Sequence, residues 1–357
     1  MGNRAKAGFH VARRHKRGSR RRGRERIGVA MTTLESMVDR DLQSLIDSVL
    51  ANHDCRDDRK LWQTLGELGL ADLTQSEDRG GSGACWPEAA ALARALARRG
   101  CRLEVSESDL VAGWLLERAA APPRQALRVV LFDDEHTTVP TASGLVERVA
   151  VVGHDGEEYH VSDVPVTDIG GDRDGDLHRD EDRRDRHLIT RETFELARTR
   201  RSLVRAIQIS ATLETIAELA IEYAQTREQF GRPIGKQQAV QQMIAIIAGE
   251  SALARAATDA AVLAVSDDAT PASQVAAMVA VARSCCGHAV DPVVRNAHQV
   301  IGAIGTTREH RLHVFTSAAL ALRAQDRTTR EWDAAVLDLT IQAQPLSDLD
   351  LMPVRTR

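Results

Sequence analysis

The stretch Gln225 to Gln238, QTREQFGRPIGKQQ, lies between two long segments of helical periodicity. Leu203, Ile207, Leu213, Ala217, Ala220 and Ala224 share one helical face before it, and Val240, Met243, Ile244 and Ile247 open the next helix after it. A purely structural account makes Arg227 a solvated helix end, Phe230 a core plug, Gly231 a cap and Pro233 a stop. It does not explain a second unusual segment, QVIGAIG, from Gln299 to Gly305. There Gly302 and Gly305, three apart, allow close backbone approach, where N–H groups reach a phosphate. Two polar junctions in one apolar bundle point to a bound anionic cofactor.

Beyond these junctions, a helix is expected from the N-cap Thr270 and Pro271 to about Cys286, and another after GAIGTT. Four such helices with short connections make residues 191–345 an antiparallel four-helix bundle. Residues 31–122 are also helical, with Leu42, Leu45, Ile46 and Leu50 on one stripe and Leu61, Trp62, Leu65, Leu68 and Leu70 on the next. RGGSG, Arg79 to Gly83, breaks the chain before an alanine-rich helix from Pro87 to Arg99. Trp62, Trp86 and Trp114 are the expected core anchors of this unit. Residues 123–169 contain ALRVVLF, RVAVVG and EYHVSDVPV, short Val-rich runs that predict a small sheet. Residues 170–190 form a mixed-charge loop, and 346–357 a tail. In that loop Asp172, Asp174 and Asp176 are spaced like calcium ligands, but the glycine falls at the fourth position and Arg183 stands where the closing Glu belongs. The fold class is mainly α with a small β domain.

The whole chain, 357 residues and 43% hydrophobic, is long enough for two or three units with a large core. Five cysteines, Cys55, Cys85, Cys101, Cys285 and Cys286, show no metal-ligand spacing. They read as small apolar groups in a reduced, cytoplasmic setting. No apolar run reaches the roughly 18 residues of a membrane span. The net charge of -4 hides an asymmetry: residues 1–30 hold eleven Lys/Arg against Glu25 alone. That basic extension reads as an upstream stretch from a mis-assigned start, because Met31 opens the helical pattern and Arg far outnumbers Lys throughout. A nucleic-acid arm or transit peptide is the other reading; no nucleic-acid partner and no membrane partner is expected. His288, His298, His310 and His313 lie near the glycine segment at spacings that read as surface or core-edge residues.

YAQTREQFGRPIGKQQAVQQMIA closely resembles the C-terminal signature of acyl-CoA dehydrogenases, R-x-x-F-G with Gln seven residues after the glycine. QVIGAIGTTREHRL resembles that family's Q-x-x-G-G-x-G segment, with Ala303 in place of the second glycine. LWQTLGELGL followed by RGGSG resembles its N-terminal domain. The resemblance implies a helix, sheet, helix architecture and an FAD enzyme that oxidises the Cα–Cβ bond of an acyl-CoA. It places Arg227, Phe230 and Gln238 at the adenosine half of FAD, and Gln299, Gly302 and Gly305 at its pyrophosphate, across a subunit boundary. Those residue types suit such contacts, with Arg as a charge-assisted donor, Phe as a packing surface and Gly for close approach.

Two departures stand out. No T-E-P segment or hydroxyl-rich flavin strand lies between Asp109 and Thr190. At the two positions where family members carry the catalytic base, this chain has Arg201 and Asp326, so the catalytic residue is left unassigned. The pattern resembles the shorter subunit of two-subunit bacterial acyl-CoA dehydrogenases, including those acting on steroid-derived CoA thioesters. Its expected partner is a catalytic acyl-CoA dehydrogenase subunit in a hetero-oligomer. A self-sufficient homomer using Asp326, and a flavin-free binding or scaffolding protein, are the other readings.

Overall fold

The computed structural model describes residues 34–53, 58–101, 103–133, 145–171, 177–179 and 186–342. The basic extension, the carboxy-terminal tail, Cys55 and the three Asp of the calcium-like spacing lie outside them. The first unit contains α1 (Arg40–Ala51), α2 (Asp58–Glu67) and α3 (Trp86–Arg99). Asp39 starts α1 by accepting from the backbone N–H groups of Asp41 and Leu42, and Gly100, at φ 75°, ends α3. A second helical run is α4 (Val105–Glu107), a π-helical turn (Ser108–Gly113) and α5 (Trp114–Arg118). Ile46, Leu50, Leu61 and Leu65 are buried as their spacing requires, whereas Leu68 lies past the end of α2 and is exposed.

The sheet has four strands in the order β1 (Arg128–Phe132), β2 (Arg148–Asp155), β3 (Glu158–Pro165), β6 (Arg186–Ile189). β1 and β2 are parallel, and the other neighbours antiparallel. Between β3 and β6 a two-stranded ribbon pairs β4 (Ile169–Gly171) with β5 (Leu177–Arg179). Residues 170–190, expected as a charged loop, therefore contain paired strands. β6 reads RHLI, four residues with two polar ones, too short to display a period. Its pairing partner, not its own hydrophobicity, makes it a strand.

β6 runs directly into α6 (Arg191–Thr226), capped by Thr190, whose Oγ1 accepts from Thr193 N–H at 3.1 Å. α6 packs against α3, α7 (Gln238–Ser266), α8 (Ala272–Ile301) and α9 (Leu312–Arg323), and is buried on several sides. α6 to α9 form the expected bundle. A fifth helix, α10 (Thr329–Gln342), lies against α8. α8 does not stop near Cys286 but continues through Pro292 to Ile301. Gly287 is a packing device there: a Cβ would stand 2.5 Å from Thr329 Oγ1 on the first turn of α10. Cys286 is fully buried, and burial raises its thiol pKa to about 11, as suits a packing residue.

Buried charges join these layers. Arg205 of α6 pairs with Glu104 at 3.0 Å and, in tight contact, with Glu107. Glu107 in turn accepts the Val130 N–H of β1 at 2.6 Å. Burial lowers the Arg205 pKa, but Glu107 and Glu104 outweigh it and hold the guanidinium charged. Arg205→Ala leaves Glu107 buried without its cation and should destabilise the fold by about 3–5 kcal/mol. Urea unfolding measures this; a loss below about 1 kcal/mol would contradict the assigned role.

Candidate functional site

The segment that follows α6 forms a short hairpin. Arg227 ends α6 with its N–H on Tyr223 O at 2.9 Å, and its own carbonyl accepts from Ile234 N–H at 2.8 Å. Between them β7 (Glu228–Gln229) pairs with β8 (Arg232–Pro233) around the turn residues Phe230 and Gly231. Both turn residues have positive φ, 54° and 76°. That combination favours Asn-Gly, because a larger L-residue in the left-handed region costs roughly 1–2 kcal/mol. Phe230 nonetheless occupies the position and is 92% exposed. It is not a core plug.

The base of the hairpin is fixed while its tip is open. Ile234 is buried, and Gly235 sits so close to α6 that a Cβ would meet Ala224 O at 2.9 Å. Gln241 Nε2 donates to Gly235 O at 3.0 Å. Gln238, at the start of α7, is exposed, as are Gln299 on the last turn of α8 and Gly302 after it. Gly302 has φ 76° and ψ -158°, a conformation nearly restricted to glycine, with open space where a Cβ would lie. Gly305 differs: it is buried, and a Cβ would meet Leu312 Cδ2 at 2.9 Å. Its small size serves packing.

Residues flanking the two junctions touch. Tyr223, one turn before Arg227, touches the ring of His310 edge-on, with centroids 6.0 Å apart. The spacing of His310 in the sequence reads as a surface or core-edge position and carries no sign of this contact. No side-chain hydrogen bond or ion pair joins the six residues to one another among the described residues; Gly305 N–H donates to Gly302 O at 3.0 Å. A guanidinium, two amides, an exposed ring and an open glycine turn form a donor set that fits a nucleotide bearing phosphates. Of the six, Arg227, Phe230, Gln238, Gln299 and Gly302 are exposed and Gly305 is buried.

The two base positions also meet. Arg201 Nε lies 2.8 Å from Asp326 Oδ1, with the side chains 5% and 7% exposed. Ser202 Oγ donates to the other carboxylate oxygen at 3.3 Å, and Arg283 Nη2 approaches it at 3.9 Å. Burial raises the Asp326 pKa, yet Arg201, then Arg283 and Arg205, outweigh it and leave the carboxyl below its ordinary range. A carboxylate held ionised between guanidiniums is a weak proton acceptor. The pair lines a cavity of about 370 Å³ with Arg198, Arg327 and Trp332. Trp332 of α10, buried against Arg283, gives no signal in the sequence, because α10 does not stand apart there as a separate helix. No cluster of metal-ligating side chains occurs among the described residues, and no helix there is long and apolar enough to cross a membrane.

Phe230→Asn places the favoured residue in the hairpin turn without removing a core contact, so unfolding free energy should rise by about 1 kcal/mol. Thermal or urea unfolding reads this, and a loss of stability of that size would show that the ring packs within the fold.

Comparison with known proteins bears on the family and the fold. Residues 30–122 match the family model "Acyl-CoA dehydrogenase, N-terminal domain", and residues 190–326 match "Acyl-CoA dehydrogenase, C-terminal domain". The chain is 29% identical over 285 residues to the acyl-CoA dehydrogenase IpdE2 of Mycobacterium tuberculosis, covering 73% of this chain and 80% of that one. It is 36% identical over 117 residues to the acyl-CoA dehydrogenase FadE34 of the same organism. That match covers 32% of this chain and only 16% of FadE34's length. Among solved structures, the ChsE4–ChsE5 complex from Mycobacterium tuberculosis shares the fold, with TM-score 0.71, 21% identity, and coverage of 85% of this chain and 97% of that one. With both terminal domains matched in order around the small sheet, this chain belongs to the acyl-CoA dehydrogenase family.

Proposed function

We propose that this chain is the accessory subunit of an FAD-dependent acyl-CoA dehydrogenase, acting with a catalytic acyl-CoA dehydrogenase subunit on an acyl-CoA. The observation that carries the reading is the Arg201–Asp326 ion pair, which occupies both positions where the family's base is expected. An ordinary base would face the substrate's α carbon with a carboxylate free to take a proton. Here the carboxylate is bound to one guanidinium and flanked by a second. The α proton then goes to a carboxylate of the partner, and bound FAD supplies the chemistry of accepting the β hydride.

On this reading the work of the chain is binding and orientation. Arg227 and Gln238 would hold the adenosine half of FAD through charge-assisted and amide hydrogen bonds, and Gln299 and the open backbone at Gly302 would hold its pyrophosphate. Phe230 packs on the cofactor or the partner, which accounts for a strained ring being kept in a solvent-facing position. Gly305 supports the turn that presents Gly302. The exposure of Arg227, Phe230, Gln238, Gln299 and Gly302 in the chain alone supports a hetero-oligomer, and the ChsE4–ChsE5 neighbour is itself a complex of two differently named chains.

The double variant Arg201→Gln with Asp326→Asn replaces the ion pair by neutral groups of similar shape and tests the assignment. In the assembled enzyme, turnover per bound flavin should stay within about threefold of wild type, whereas loss of a general base costs about 10²–10⁴. A fall of that size with flavin content unchanged would make Asp326 the base and this chain catalytic.

A further inference from the structure

A second cleft, of about 680 Å³, opens between α1, α3, α6 and α7 and shares no lining residue with the cofactor motifs or the Arg201–Asp326 cavity. Its volume falls in the range of small-molecule sites. Leu50, Ala91 and Ala95 give it an apolar lining, and Arg40, Arg94, Arg98, Arg99 and Arg255 surround that surface with guanidiniums.

Three of those cations are neutralised within the chain. Arg98 pairs with Glu214 and Glu218, Arg255 with Glu214 and Asp259, and Arg94 with Asp259. Arg40 and Arg99, on opposite walls, form no ion pair among the described residues; Arg99 donates to the Leu50 carbonyl. Asp47, which also lines the cleft, accepts from Gln43 and offsets one of the two. A positive excess remains. Arg99 has one guanidinium donor on a neutral carbonyl and no carboxylate partner among the described residues, so its charge is available to an anion in the cleft.

We infer that this cleft binds a small amphipathic anion, a carboxylate or phosphate head carried on an unbranched apolar chain. The head meets Arg99 beside the end of α1, and the chain covers the small side chains of Ala95 and Ala91. The protein's own basic extension is a poor occupant, because its net charge has the same sign as the excess in the cleft.

Isothermal titration of the full chain with decyl phosphate, decanoate, inorganic phosphate and phosphatidylglycerol vesicles tests the inference. Decyl phosphate and decanoate should bind one per chain, and Arg99→Gln and Ala95→Leu should each weaken them by at least about tenfold. Arg99 is exposed and Ala95→Leu keeps the charge, so an unchanged melting temperature shows that both variants remain folded. Four results would overturn the inference: no binding up to about 1 mM, affinity unchanged in both variants, inorganic phosphate binding as well as the decyl ligands, or binding to vesicles alone. The third would mark a bare anion site and the fourth a bilayer surface.

Discussion

Three arginines within two turns of one helix, Arg200, Arg201 and Arg205, are buried and must each find a partner on a different element. Arg200 donates to Leu110 O in the π-helical turn and lies between the rings of Trp86 and Trp114. Arg205 reaches Glu104 and Glu107, and through Glu107 the backbone of β1. Arg201 stacks on Phe132 and closes on Asp326 between α9 and α10. The first helical unit, the sheet and the bundle are thus tied to α6 by charges that cannot be removed singly. The same requirement ties the Asp326 carboxylate to Arg201, with Arg283 beside it.

The hairpin after α6 shows the opposite tendency. Its base is held by Ile234, Gly235 and two backbone hydrogen bonds, so the turn is placed with little freedom. Its tip holds an exposed phenylalanine in a conformation where asparagine would be relaxed. The contact proposed for Phe230 with cofactor or partner rests on this strain and exposure. An interior joined by buried ion pairs beside an exposed, strained turn fits the binding role proposed above.

Much of this was legible in the sequence, and the misses share a physical cause. Helical periodicity located α1, α2, α3, α6 and α7, because their apolar faces repeat over several turns. The three Val-rich runs became β1, β2 and β3. β6 escaped because backbone pairing, not side-chain pattern, makes it a strand. α8 ran past Cys286 because Gly287 serves the approach of α10 and the long helix tolerates Pro292. At the site, residue types named the cofactor-facing candidates, and local spacing could not reveal that Gly305 packs inward. The Arg201–Asp326 contact lies between distant segments, so each residue was visible as a departure while their pairing was not.

Whether this chain holds half of a flavin site can be read from the visible flavin absorbance of the purified protein, alone and after co-expression with each acyl-CoA dehydrogenase-like chain of its genome. A colourless protein alone and a flavin spectrum in a complex with one partner is the expected outcome. Stoichiometric flavin in the chain by itself would contradict it.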